Sequence, residues 1–110
     1  MSTSQEFIEY ITDMVAPVGH VTASRMFGGA LLKVDGKQLG IILLDTLYFK
    51  VVDPMLQEAF AKEGSIQFTY TRKDKDTPVI IKNWWQVPDT YMDDEKALIE
   101  RAQEVLAQVY

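Results

Sequence analysis

Apolar residues recur at helical spacing at the two ends of the chain and alternate along much of the middle. Phe7, Ile8, Ile11, Met14 and Val15 fall on one side of a helix over 4–16, with Glu6, Glu9 and Asp13 opposite. The Ser-Thr-Ser before it supplies N-cap hydroxyls, and Gln5 stands three residues after Ser2 as a weak capping box. Pro17 and Gly19 end the segment. From His20 to Val52 the period becomes two. Strand-like runs at about 20–27, 30–34, 38–44 and 47–52 are separated by Gly28-Gly29, Asp35-Gly36 and Asp45-Thr46. Asp35-Gly36 is the strongest hairpin signal, because a type I′ turn needs positive φ at both central residues. Asp45-Thr46 reads as a second tight turn, and the four runs make an antiparallel meander.

Asp53 and Pro54 then suit the N-cap and first position of a second helix, with Met55, Leu56, Ala59 and Phe60 as its apolar stripe and Gly64 near its end. Strands follow at 66–70 and 78–88, joined by the mixed-charge loop TRKDKDT. A last helix begins after Pro88. Asp93, Asp94 and Glu95 favour the positive end of its dipole, and Leu98, Ala102, Val105, Leu106 and Val109 form its buried side. The order α-β(4)-α-β(2)-α predicts an α+β fold of two layers, an antiparallel sheet with helices mainly on one face.

Length and composition narrow the function classes. The 110 residues suit one domain, 1–110, and no apolar run reaches the roughly 20 residues that span a bilayer. The N-terminal ten residues carry acids and no base, unlike a targeting signal. A cytoplasmic location without membrane attachment is therefore expected. There is no cysteine, so disulfides, thiol catalysis and thiolate metal sites are excluded. A net charge of −5 opposes general attraction to nucleic acid.

No candidate chemistry survives its context. A phosphate cradle needs a glycine-rich turn from strand into helix, whereas Gly28-Gly29 leads into another strand. His20 is the only histidine, and Asp93-Asp94-Glu95 lacks the glycine turn and spacing of a calcium loop. Ser2, Ser4, Ser24 and Ser65 have no nucleophile motif or histidine partner in sequence. No catalytic, cofactor or metal site is expected, and the chain reads as a non-enzyme. Arg25, Arg72, Lys73, Lys75 and Lys82 could form a weak nucleic-acid contact, which is the alternative function. Arg25 beside the glycines could otherwise hold an anionic substrate, or enter a structural salt bridge.

The aromatic residues say more. Alternation sets Leu47, Phe49 and Val51 against Tyr48, Lys50 and Val52, and Trp85 and Val87 against Trp84 and Gln86. Three helices cover one face of the sheet, so Trp84, Tyr48, Ile42 and Leu44 are expected on a second, open face. Such an apolar patch suits a partner protein or a second copy of the chain. Trp84, Tyr48 and Ile42 are the candidate contacts.

With these motifs placed, the chain resembles the N-terminal domain of the TfoX (Sxy) family of competence regulators. The resemblance rests on RMFGG at 25–29, LLKVDGKQLGIILLDTLYFKV at 31–51, AFAKEGSIQFTY at 59–70 and WWQVP at 84–88, followed by an acidic-started helix. It covers roughly residues 5–108, and RMFGG before the Asp-Gly hairpin and D-x-L-Y-x-K is its most specific part. The 71–77 loop departs from the family's more Gly/Lys-containing turn, and Trp84-Trp85 stands where tyrosines are common. The resemblance implies a two-layer fold similar to secretion chaperones, a role in DNA transformation and transcription regulation, and no known catalytic site. Full-length members carry a further C-terminal helical domain that looks DNA-associated.

Overall fold

A computed structural model describes residues 4–26, 28–71 and 78–108. The elements are α1 (Gln5–Val15), β1 (Val21–Met26), β2 (Gly29–Val34), β3 (Lys37–Leu43), β4 (Thr46–Lys50), α2 (Pro54–Lys62), β5 (Gln67–Thr71), β6 (Pro78–Gln86) and α3 (Glu95–Leu106), with short 3₁₀ turns at Ala16–Val18 and Asp89–Asp93. The architecture is α+β, with a six-stranded antiparallel sheet and three helices, as the pattern predicts.

Local chemistry accounts for most element ends. Ser4 is the cap of α1, its hydroxyl accepting from the Phe7 N–H at 3.2 Å. Asp94 caps α3 by accepting from the Ala97 N–H at 3.1 Å. The last helix therefore starts later than expected, because Asp89–Asp93 forms a 3₁₀ turn before the capping carboxylate. Asp53 precedes α2 without a side-chain cap bond. The β2–β3 turn is Asp35-Gly36, at φ 51° and 85°. The β3–β4 turn is Leu44-Asp45, at φ 50° and 55°, one residue earlier than alternation suggests.

The strand order is β1-β2-β3-β4-β6-β5. The meander runs to β4, α2 then crosses over, and β6 inserts between β4 and the edge strand β5. All three helices contribute to one core. Ile8, Ile11 and Val15 from α1, Leu56 and Phe60 from α2, and Leu98, Ala102 and Val105 from α3 join Leu32, Leu39, Ile42, Leu47, Phe49 and Trp85 of the sheet. Fully burying each such aliphatic or aromatic side chain contributes roughly 1.5–3 kcal/mol.

Two irregularities break the simple alternation. Leu32 pairs with Gly40 but Lys33 with Gln38, so Leu39 is an extra residue in β3. The bulge puts Leu39 and Ile42, three apart, on the same buried face. Ile42 is thus 0% exposed, paired with Ala30 and Leu47, and it does not belong to the open face. This corrects its assignment as a contact residue. In β6, Asn83 at φ 76° marks a second irregularity, beside a register shift against β5 at Gln67/Phe68.

Candidate functional site

The face of the sheet turned away from the helices is built from alternate residues of the central strands. Tyr48 and Lys50 point away from Phe49, and their strand partners in β6 are Gln86 and Trp84. Ile41 and Leu43 occupy the same face of β3, and Leu31 and Lys33 that of β2, all half-buried. Tyr48 reaches across β6 to stack on Phe68 of β5, with ring centroids 5.0 Å apart and planes at 24°. Such a pair adds about 0.5–1.5 kcal/mol beyond its burial. Burial also raises the Tyr48 hydroxyl pKa above its ordinary value. The Lys50 ammonium donates to Gln38 Oε1 at 2.9 Å, a polar margin to the aromatic patch.

The sequence candidates fare differently. Tyr48 and Trp84 share this face, while Ile42 lies beneath the sheet among the helices. Leu44, 63% exposed, sits in the β3–β4 turn. Arg25 is exposed on β1, the opposite sheet margin from β5 and β6. Four strand spacings separate β1 from β6, about 19 Å, so the fold does not bring Arg25 next to the strand of Lys82. Arg72, Lys73 and Lys75 lie outside the described residues, as do the side-chain surroundings of Lys82.

A shallow groove of about 450 Å³ opens between α2 and the end of α3. Met55, Leu56, Ala59 and Ala107 line it together with Asp53, Glu104 and Gln108. It holds neither a nucleophile nor a histidine. Among the described residues no group of three His, Cys, Asp or Glu side chains is placed to hold a metal.

The densest polar cluster joins α2, α3 and the turn before α3. The Arg101 guanidinium pairs with Glu63 at 2.6 Å and Glu104 at 3.1 Å, donates to the Tyr91 hydroxyl at 3.2 Å, and lies 5.3 Å over the Phe60 ring. Tyr91 donates in turn to Glu63. Burial disfavours the Arg101 charge, but the bonds to Tyr91 and Glu63 outweigh it and hold its pKa above the usual value. Burial, then the Glu63 bond, raises the Tyr91 pKa above 10.0. The cluster clamps elements together and leaves no open coordination or attacking group.

The sign of the Tyr91 shift yields a pH prediction. Below pH 10 Tyr91 is neutral in both folded and unfolded chains, whereas above it the unfolded chain ionises first. Stability is therefore expected to fall as pH rises from about 9 towards 11, with Tyr91→Phe showing a shallower fall. Urea midpoints across that range check this. Equal slopes for the two proteins would refute it.

The signature glycines also find their reason in the sheet. A Cβ on Gly29 would lie 2.1 Å from the Ile42 carbonyl oxygen, and Gly28 has φ 76°. The pair serves close strand approach and a turn. The model of the TfoX N-terminal domain matches residues 13–109, nearly the whole chain. The chain belongs to the TfoX N-terminal domain family. No curated protein matches it. The TfoX N-terminal domain is here a sheet with one helix-covered face and one partly apolar face. No helix among the described residues is long and apolar enough to cross a membrane.

Proposed function

We propose that this TfoX N-terminal domain is a non-enzymatic, cytoplasmic regulatory module of DNA-uptake competence. It acts by protein–protein contact through the helix-free face of the sheet. The observation that carries the reading is the aromatic platform on that face, the Tyr48–Phe68 stack spanning β6 with Trp84 beside Lys50. Aromatic residues with one half-exposed surface are the commonest anchors of protein interfaces. Family membership supports the regulatory role, and competence is the process with which the family is associated.

Trp84→Ala and Tyr48→Ala are expected to weaken capture of the partner by about 30-fold or more each, since truncating an aromatic anchor costs about 2 kcal/mol or more. Affinity purification from the native cell identifies the partner, and titration of the purified pair measures the loss. Circular dichroism establishes that each variant is folded. A partner held at wild-type affinity by both folded variants would remove the open face from the mechanism. The net charge of −5 and the separation of Arg25 from β6 weigh against the nucleic-acid alternative.

A further inference from the structure

The sheet ends at β1, and that edge carries few of the devices that keep exposed strands apart, Arg25 being its single charge. Val21–Met26 contains no proline or lysine, and its pairing with β2 is regular over all six residues. The opposite edge strand, β5, carries a register shift. The Asp35 N–H donates to the His20 carbonyl at 2.9 Å. Antiparallel alternation from that pair turns the amide groups of Thr22, Ser24 and Met26 toward β2 and those of Val21, Ala23 and Arg25 toward the sheet's outer edge. An outward row of this kind is a template for another strand.

We propose that β1 pairs antiparallel with β1 of a second copy of this chain, about a two-fold axis through Ala23, so that one sheet continues across the dimer. The axis runs perpendicular to the sheet, which keeps both helix layers on the same side. It pairs Ala23 with Ala23, Thr22 with Ser24, and Val21 with Arg25. The residues nearest the axis are small, and all of Thr22–Met26 is exposed in the single chain. An axis through Arg25 would oppose two like charges, whereas the axis at Ala23 keeps the two arginines about 13 Å apart along the strands.

Charge favours the same register. The Ser4 N–H donates to Asp45 Oδ1 at 2.8 Å, which sets the start of α1 at the Met26 end of β1. The last turns of α1, with Asp13, therefore lie at the Val21 end. Arg25 of one copy, opposite Val21 of the other, comes beneath the acidic, dipole-negative end of that copy's α1. Pairing through β1 leaves Tyr48 and Trp84 uncovered, so it is independent of the partner-binding reading above.

Analytical ultracentrifugation of the whole chain tests the proposal. Wild type is expected to sediment with the mass of two chains, and Ala23→Lys, which sets two ammonium groups across the axis, to dissociate at least about tenfold more readily. Ala23→Pro removes an outward N–H without touching the bonds to β2 and should act likewise. In wild type, amide exchange at Val21 and Ala23 should slow as concentration rises, while Thr22 and Ser24 are protected throughout. That measurement carries the test if neither variant folds. A wild type that stays a single chain, or exchange at Ala23 indifferent to concentration, overturns the proposal. So does a dimer that survives Ala23→Lys and is split by Trp84→Ala, which would assign self-association to the open face.

Discussion

Gly40→Ala is expected to destabilise the domain by about 3 kcal/mol or more, as a rigid overpacking between two backbones. A Cβ at this position would lie 2.1 Å from the Tyr48 carbonyl oxygen and 3.2 Å from the Phe49 Cα. These are backbone atoms of the paired strand, and they cannot rotate away. Gly36 provides the control. Unlike Gly40 it has positive φ, 85°, and a Cβ there would meet nothing within 4 Å. Gly36→Ala should therefore cost only the left-handed penalty of about 1–2 kcal/mol. Urea unfolding of the two variants measures the difference. If Gly40→Ala were no worse than Gly36→Ala, close strand approach would not be the reason for the glycine.

The second large effect is expected at Gln108, the one polar residue in the buried set of described residues. Its side-chain oxygen accepts from the Val52 and Asp53 N–H groups at 2.7 and 2.9 Å. Its side-chain nitrogen donates to the Lys50 and Val105 carbonyls at 2.8 and 2.9 Å. The amide thus does for the β4–α2 junction what a backbone partner would do, and it ties the end of α3 to it. The Lys37 ammonium adds a bond to the Gln108 carbonyl at 2.8 Å. Gln108→Leu keeps the volume but leaves these groups without partners, an expected loss of about 3 kcal/mol. The exposed Gln103, within α3 and five residues earlier, should tolerate leucine within about 0.5 kcal/mol. Amide exchange at Val52 and Asp53 should speed up in Gln108→Leu before global unfolding does. Unchanged exchange at both would mean that solvent replaces the glutamine at no cost.

These two positions show how differently legible the chain was. The helices and strands follow from period and punctuation, because Ile8, Ile11 and Val15 or Phe49 and Val51 repeat at the spacing of their element. Ser4, Asp94 and Asp35-Gly36 mark ends through bonds made within a few residues. Such local physics is written in local sequence, and so is membership of the TfoX N-terminal family, through the RMFGG stretch and the hairpins after it. The place of Tyr48 and Trp84 on one open face was legible for the same reason, since each alternates with a buried neighbour, Phe49 and Trp85.

Tertiary structure decided the rest. Alternation alone places Ile42 in the open, but the extra residue Leu39 resets the phase, and a bulge depends on how two strands lie together. Nothing near Gln108 in sequence names Lys50, Val52 or Asp53 as its partners, more than fifty residues away. Nor does any spacing show that Arg25 stands at the far margin from β6, since strand order depends on the crossover through α2. The sequence determined the elements and the family, and the caps at Ser4 and Asp94, because those rest on neighbours along the chain. Register, strand order and buried polar partners waited on the fold, because each is settled by backbones that meet only after the chain has closed on itself.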